Sequence, residues 1–227
     1  MFRPTVRLAG LAILALLGVS LLNPGLALGS GLRSGERTDG PPATAGQRVA
    51  TFAGGCFWSM QKAFDGVPGV ASVTAGYTGG TKADPTYEDV ETGKTGHAES
   101  VQVVYDPARI SYEQLLDVYW HHIDPLTLNS AFCDYGPQYR SIIFYHDAEQ
   151  QRAAEASKRA LDASHRFATP IVTAVQPASR FYPAEEYHQQ FYKKNPARYD
   201  AYRIGCRRDA RLQQLWGDLA VSRGGTR

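Results

Sequence analysis

The chain has 227 residues, of which 43% are hydrophobic, and its formal net charge at pH 7 is only +2. A nearly balanced charge gives no electrostatic basis for binding nucleic acid, and the length fits one globular domain with extensions. We therefore expect a single folded domain and no nucleic-acid partner.

The N-terminal segment has the pattern of an export signal. Arg3 and Arg7 precede an uncharged run over residues 8–22, and small residues follow before Ser30. The run is shorter than the ~20 residues that span a bilayer, so we predict a signal peptide over residues 1–29. An uncleaved N-terminal membrane anchor is the alternative. Either reading predicts a protein exported to the periplasm or secreted.

The rest of the chain is predicted to be a linker over residues 30–47, rich in Gly, Ser, Thr, Pro and charge, and a domain over residues 48–227. Short strands and hairpin-like stretches alternate with helices, which favours a two-layer α+β sandwich over a doubly wound parallel sheet. The tail from residue 198 is predicted to be irregular before a last short helix. The predicted strands are 48–53, 70–77, 97–105, 140–145 and 171–175, and the predicted helices are 57–67, 111–122, 147–165, 184–194 and 209–221.

Cys56 follows Gly54-Gly55, where the first strand ends and the first helix begins. At a helix N-terminus, unpaired N–H groups and the macrodipole favour the thiolate, which is the form that attacks electrophiles. The sequence therefore predicts a reactive thiol. The alternative is an inert buried cysteine packed beside two large aromatic residues.

The cysteines are odd in number. Cys56, Cys133 and Cys206 are the only three, so in an oxidising compartment at least one thiol is free or in exchange. Their wide spacing includes no CxxC or CxxxC pair, so no zinc site is predicted.

Six short motifs, taken together in order and spacing over residues 49 to about 217, resemble the A class of peptide methionine sulfoxide reductases. The resemblance implies a ferredoxin-like α+β core and a monomer that needs no metal or flavin. It also implies that the enzyme repairs oxidised proteins by reducing the S epimer of methionine sulfoxide, protein-bound and free. The motifs are Gly55-Cys56-Phe57-Trp58, Gly76-Tyr77-Thr78-Gly79-Gly80, Pro85-Thr86-Tyr87, Gly96-His97-Ala98-Glu99, Asp134 with Gln138-Tyr139-Arg140-Ser141, and His188-Gln189-Gln190 before Lys194-Asn195-Pro196.

This chemistry requires an acid opposite the thiol, because oxide leaves a sulfoxide sulfur only when the oxygen is protonated or strongly hydrogen-bonded. Glu99 fits the acid if burial among aromatic residues keeps its carboxyl protonated. Tyr87 and Tyr139 supply O–H donors for the sulfoxide oxygen. Each has a simpler reading, since Glu99 could be an exposed carboxylate and the tyrosines could be packing residues.

The substrate site is predicted around Phe57 and Trp58, whose rings would hold the methyl group of methionine sulfoxide. The resemblance further implies that Asp134 contacts the substrate backbone, and His188 is given a supporting place. Many family members carry Glu where this chain has Gln61, so Gln61 is predicted to be structural.

Turnover leaves Cys56 as a sulfenic acid, which a second thiol must condense with before an external dithiol, such as a thioredoxin-type protein, restores it. Cys206 is the first candidate, because it lies in a tail expected to be mobile. Cys133, next to Asp134, is the alternative, and the third possibility is that Cys56 has no intramolecular partner. With one cysteine in the tail, no longer disulfide relay is predicted.

Two rival functions remain open from the residues alone. Another thiol enzyme, such as a peroxidase, would also use a reactive Cys56, but it gives Glu99 and the tyrosines no reason to converge. A secreted binding module would use the aromatic residues as a ligand groove and would leave Cys56 inert.

Overall fold

A computed structural model describes residues 43–220 of the chain. The predicted signal peptide, the linker up to residue 42 and residues 221–227 lie outside the described residues. Among the residues that are described, no helix combines the length and apolar character that crossing a bilayer requires.

Six strands form one sheet, and a separate two-stranded ladder lies beside it. The main sheet has the spatial order β7-β6-β1-β3-β2-β8. Its strands are β1 (Arg48–Ala53), β2 (Val70–Thr78), β3 (Ala98–Tyr105), β6 (Ile142–Tyr145), β7 (Ala174–Pro177) and β8 (Tyr182–Pro183), and the small ladder pairs β4 (Ser130–Ala131) with β5 (Asp134–Tyr135).

The helices begin where side chains can satisfy their first N–H groups. Ser111 and Gln114 form a capping box, and Asp147 accepts from Gln150 N at the start of the longest helix. The helices are α1 (Phe57–Phe64), α2 (Tyr87–Glu91), α3 (Tyr112–His121), α4 (Ala148–Ala163), α5 (Phe191–Lys194), α6 (Pro196–Gly205) and α7 (Arg208–Trp216).

Four central strands and two helices give the order β1-α1-β2-β3-α3-β6. Each neighbouring pair in the spatial order β6-β1-β3-β2 is antiparallel, which is the ferredoxin-like arrangement. β7 adds to β6 in parallel. The prediction of an α+β sandwich with a ferredoxin-like core is confirmed.

The core lies between the sheet and its helices. Phe52 on β1 stacks on Phe64 of α1 and on Tyr119 of α3, with ring centroids 5.1 Å apart in both pairs. Each fully buried aromatic side chain of this kind contributes about 1.5–3 kcal/mol. This packing fixes the junction between β1 and α1, where Cys56 lies.

The helix predicted over residues 184–194 is wrong for most of its length. The Gln189 side chain accepts from Ala75 N and donates to Ala75 O, both at 2.9 Å, so this segment lies against the edge of β2 as an extra strand would. Gln190 then has a φ of 51°, which a helix interior does not allow. Only α5 remains helical. The strand predicted over residues 171–175 begins later, at Ala174.

The tail predicted to be irregular from residue 198 contains the helix α6, whereas the last helix, predicted over residues 209–221, is present as α7. Three consecutive residues after α3 hold α7: His122 O accepts from Arg208 (2.8 Å), Ile123 O from Trp216 Nε1 (3.1 Å), and the Asp124 carboxylate from Arg211 (2.7 Å). Cys206 therefore lies between two packed helices. Cys206 was preferred as the partner of Cys56 because its tail was expected to be mobile. The packed helices show that this reason is wrong.

Candidate active site

Two glycines bring the chain from β1 into α1 at Cys56. A Cβ on Gly54 would lie 2.4 Å from Cγ2 of Ile123, and Gly55 has a φ of 88° with Ala131 Cβ only 2.6 Å from its own hypothetical Cβ. A larger residue does not fit at either position. The close approach also places the β4–β5 ladder directly over the turn that carries Cys56.

Cys56 is the only one of the three cysteines that is free, and it is 6% exposed. Burial, followed by the nearby carboxylates of Glu99 and Asp134, raises the pKa of its thiol well above the ordinary value. Hydrogen bonds from the Trp58 N–H and the Tyr202 hydroxyl lower this pKa but do not outweigh burial. Burial thus outweighs the helix N-terminus, which was expected to favour the thiolate, and the neutral thiol is favoured instead.

Glu99 lies on β3 beside the cysteine. Its carboxyl is 2% exposed, and its Oε2 accepts from the backbone N–H of Phe57 at 2.9 Å. Burial raises the pKa of this carboxyl well above its usual range, in spite of the hydrogen bond from Phe57. The site thus contains a buried carboxyl whose protonated form is favoured, hydrogen-bonded to the residue that follows the thiol.

Both predicted tyrosine donors lie near Glu99. Tyr139 donates to Glu91 Oε1 at 2.9 Å, while the Tyr87 ring packs against His188 with centroids 4.5 Å apart. Burial, followed by the charge of Glu99, raises the pKa of both hydroxyls, so both keep their protons. They are neutral O–H donors in the same pocket as the acid.

Phe57 and Trp58 share an aromatic pocket with His188. The Trp58 ring stacks on Phe191 at 3.8 Å, and its Nε1 donates to His188 Nδ1 at 3.0 Å. Phe57 packs on His188 at 4.9 Å. Burial lowers the pKa of His188 to about 4, so its ring is neutral and the proton is on Nε2, which is buried without a partner among the described residues. This leaves a buried donor in the pocket.

Asp134 meets a residue that the sequence did not single out. Its Oδ2 accepts from the hydroxyl of Tyr202 at 2.5 Å, and this hydroxyl also reaches the Cys56 sulfur. Tyr202 lies on α6, four residues before Cys206, so both face the site from one side of the helix. That spacing was a usable signal, but only if the tail had been predicted helical.

Two more glutamates support the pocket and were not predicted as site residues. Glu185 accepts from Tyr87 N at 2.9 Å and from the hydroxyl of Tyr77 at 2.8 Å, which fixes the backbone at Tyr87. Glu91 accepts from Tyr139. Glu185 lies in a loop and Glu91 ends α2, and no local sequence pattern indicates either contact.

Gln61 of α1 hydrogen-bonds both to β2 and to the segment that precedes α5. It is 1% exposed, donates to Val73 O at 2.8 Å and accepts from Gln190 N at 2.7 Å. Both of these hydrogen bonds are to backbone groups, as expected for the structural role predicted for Gln61.

Cys133 and Cys206 form a disulfide with each other, with Cα atoms 5.0 Å apart. Neither is bonded to Cys56. Cys133 is exposed, and a cavity of about 350 Å³, lined in part by Phe132 and Arg207, opens beside Cys206. Asp134 lies near both sulfurs, with the three possible ligand atoms within 4.8 Å of one another, but disulfide sulfurs are not the thiolates that metals bind.

Comparisons with known proteins agree on one family. The profile described as Peptide methionine sulfoxide reductase matches residues 48–220. A protein from Listeria monocytogenes serotype 4a named Peptide methionine sulfoxide reductase MsrA is 53% identical over 167 residues, which cover 74% of this chain and 94% of that relative. A Bacillus licheniformis protein of the same name is 52% identical over 171 residues, covering 75% and 94%.

Solved structures give the same result. Mxr1 from Saccharomyces cerevisiae in reduced form has a TM-score of 0.63 and 32% identity, covering 67% of this chain and 87% of its own. Methionine sulfoxide reductase A of Corynebacterium diphtheriae has a TM-score of 0.61 and 32% identity, with 67% and 77% covered.

Proposed function

This chain belongs to the peptide methionine sulfoxide reductase family and is an oxidoreductase that reduces methionine sulfoxide, and we propose that Cys56 is its nucleophile and Glu99 its acid. Membership in this family replaces the two rival readings, a peroxidase and a binding module with an inert Cys56. The observation that carries the proposal is the Phe57 N–H that donates to Glu99 Oε2 at 2.9 Å, since it ties a protonated carboxyl to the residue after the thiol.

Glu99 protonates or hydrogen-bonds the sulfoxide oxygen, and the hydroxyls of Tyr87 and Tyr139 donate to the same oxygen. Because Glu99 is neutral in this state, its charge no longer raises the pKa of Cys56, and the thiol can lose its proton as the reaction starts. The Cys56 sulfur then forms a bond to the sulfoxide sulfur while the S–O bond breaks and the protonated oxygen leaves as water. Water next attacks the Cys56 sulfur, the bond between the two sulfurs breaks, and methionine leaves with that electron pair. The net change converts thiol and sulfoxide into sulfenic acid and methionine.

The substrate methyl group packs between the rings of Phe57 and Trp58. His188 holds the Trp58 indole through Nδ1, and its unpartnered Nε2–H faces the same pocket. Asp134, held by Tyr202, binds the backbone of the oxidised residue. These contacts suit the S epimer of methionine sulfoxide in proteins and as the free amino acid.

The disulfide between Cys133 and Cys206 supports a relay, against the expectation drawn from the single cysteine of the tail. Cys206 condenses with the Cys56 sulfenic acid, releasing water and forming a Cys56–Cys206 disulfide. The Cys133 thiolate then attacks the Cys206 sulfur, which forms the observed disulfide and restores the Cys56 thiol. Cys206 acts first because it shares a helix face with Tyr202, whose hydroxyl reaches Cys56. Attack by Cys133 first is the alternative order.

A dithiol protein of the thioredoxin type reduces the final disulfide. Its thiolate can approach Cys133, which is exposed, whereas Cys56 is buried. Two electrons from the partner's dithiol return Cys133 and Cys206 to thiols, and the partner leaves as a disulfide.

A stereochemically resolved assay tests the proposal. With dithiothreitol as reductant, we expect the S epimer of N-acetylmethionine sulfoxide to be consumed and the R epimer to remain. Cys56→Ser should release no methionine even in a single turnover, while Cys206→Ser, the matched control, should release about one per enzyme. Methionine from Cys56→Ser, or equal use of both epimers, would contradict the assignment.

We also propose that the enzyme is exported, because of the basic and apolar segment over residues 1–29. The proposal includes a linker over residues 30–47, a monomeric catalytic domain, and a membrane link only through an uncleaved N-terminal segment. Cell fractionation with N-terminal sequencing of the product tests it. A cytoplasmic product that keeps residues 1–29 would overturn it.

A further inference from the structure

Arg208 is a buried guanidinium that forms no ion pair among residues 43–220, and Asp134 is the carboxyl that interacts with it at longer range. Its side chain is 1% exposed. Within residues 43–220 its contacts are all to neutral groups: Nη2 donates to His122 O at 2.8 Å and lies 3.8 Å from Met60 Sδ, and the guanidinium carbon lies 3.9 Å from the centre of the Phe132 ring. A buried charge without an anion is costly, so the missing anion needs an explanation.

The free end of Arg208 faces the glycine turn that carries Cys56. Its Nη1 is buried with no hydrogen-bond partner among the described residues. A Cβ on Gly55 would lie 3.6 Å from Nη1, so this nitrogen lies against the residue before the thiol. The guanidinium also interacts electrostatically with the sulfur of Cys56 and with the hydroxyl of Tyr202.

Arg208 is the cation that interacts with Cys56, and Arg203 of α6 is a second cation that acts on Arg208. The other titratable groups that act on Cys56 are carboxyls and a phenol from different elements, and Tyr87 and Arg208 also interact with it. His122, whose backbone oxygen binds Arg208, is neutral because burial lowers its pKa to about 4. The groups that face Cys56 are Glu99 of β3, Asp134 of β5, Tyr202 of α6, Tyr87 of α2 and Arg208 of α7.

We propose that Arg208 is the counter-charge of the Cys56 thiolate, the buried cation that makes ionisation possible in a pocket lined by acids and aromatic rings. The inference rests on the proposed role of Cys56 as nucleophile. No anion contacts the guanidinium among the described residues, and ionisation of Cys56 places a negative charge on the residue after Gly55, which Nη1 faces. Arg208 is a positioning residue that acts through Cys56, and it does not contact the substrate.

α7 offers a matched control. Arg211 lies one helical turn after Arg208 and also anchors α7, through a 2.7 Å ion pair with Asp124. A purely structural role of Arg208 predicts that both arginines matter to the same degree. A counter-charge role predicts that only Arg208 affects the thiol.

The test measures alkylation of Cys56 by iodoacetamide in the oxidised protein, where Cys56 is the only free thiol of the chain. Rates from pH 5 to pH 10 are followed by mass spectrometry for wild type, Arg208→Met, Arg208→Gln, Arg208→Lys and Arg211→Met. In the two neutral Arg208 variants we expect alkylation roughly tenfold slower than in wild type at each pH below the wild-type midpoint, with the rate–pH profile displaced by about one unit to higher pH. Arg208→Lys should recover most of the rate, and Arg211→Met should match wild type.

A wild-type profile in the neutral Arg208 variants would overturn the inference. So would an equal shift in Arg211→Met, since that would report displacement of α7. Thermal melting identifies any variant that does not fold, and Arg208→Gln serves if Arg208→Met fails. The profile does not depend on substrate, so failure of Cys56 as nucleophile would appear separately, as absence of sulfenic acid in wild type after a single turnover.

Discussion

The backbone N–H of Phe57 donates to Glu99 Oε2 at 2.9 Å, so the helix that carries the thiol is hydrogen-bonded to the acid on β3. The two groups approach a substrate together, because one hydrogen bond fixes the distance between their elements. This is the geometry that the chemistry of a sulfoxide requires, with a nucleophile for the sulfur and a proton for the oxygen.

Glu99→Gln should slow methionine release in a single turnover by roughly 100-fold or more, since an amide cannot protonate the leaving oxygen. Alkylation of Cys56 should not slow, because the protonated carboxyl of Glu99 and the amide that replaces it are both neutral. Quenched-flow measurement of methionine checks this, with Glu113→Gln, on exposed α3 surface, as the control. Equal rates in wild type and Glu99→Gln would remove the acid role.

The pKa of Glu99 also predicts a stability profile. Its folded pKa is raised above the unfolded value, so its contribution is fully present below the unfolded pKa, near 4.5, and is lost as pH rises through the folded pKa. Wild type should therefore lose stability relative to Glu99→Gln as pH rises above about 4.5, by about 1.4 kcal/mol per unit of pKa difference. Urea unfolding of both proteins from pH 4 to pH 9 measures this. Parallel curves would show that the carboxyl is not buried.

The relay predicts different products for two cysteine variants. Cys133→Ser should accumulate a Cys56–Cys206 disulfide, because the thiol that resolves it is absent, and thioredoxin-driven cycling should slow. Cys206→Ser should stop after one methionine per enzyme, with Cys56 as sulfenic acid or bonded to Cys133. Peptide mapping by mass spectrometry distinguishes these species. Undiminished cycling of Cys133→Ser would show that Cys206 alone suffices.

Tyr202→Phe should weaken the site without unfolding it. The variant removes the hydroxyl that binds Asp134 and reaches Cys56, so one buried carboxyl and the thiol each lose a polar partner. We expect a loss of roughly fivefold to 100-fold in kcat/KM, which corresponds to about 1–3 kcal/mol for such a contact. Tyr135→Phe, on an exposed ring, is the control. If the two variants have equal kcat/KM, Tyr202 has no part in the site.

Gly54→Ala should destabilise the fold, because the new methyl group would lie 2.4 Å from Ile123. Overpacking of this kind costs about 1–3 kcal/mol in the free energy of unfolding. Gly205→Ala is the matched control, since a Cβ there meets nothing within 4 Å and Ala favours the helix. Equal midpoints in thermal unfolding would mean that Ile123 can move away without cost.

Local patterns allowed much of the fold to be predicted. Arg48–Ala53 and Phe57–Phe64 are visible as a strand and a helix in the spacing of their apolar residues, and the glycines between them place Cys56. The electrostatic environment of Cys56, by contrast, could not be predicted from local patterns. Its raised pKa comes from burial and from carboxylates 43 and 78 residues away in the chain, at Glu99 and Asp134, which no local pattern reports.

Contacts made by single side chains account for the main errors. A helical period over residues 184–194 is present in the sequence, but the amide of Gln189 bonds the edge of β2 and prevents that helix. Likewise, Tyr202 is an isolated tyrosine until α6 turns it toward Asp134. Such pairings depend on tertiary packing, which overrides local propensity.

The buried Cys56 thiol and the exposed Cys133–Cys206 disulfide give the molecule two separate sites. In the proposed relay electrons enter at Cys133, on the surface, and reach Cys56 by disulfide exchange, so a redox partner does not have to enter the pocket that binds the oxidised side chain. The substrate pocket can therefore exclude enough water to keep the Glu99 carboxyl protonated, while the disulfide stays accessible to a whole protein.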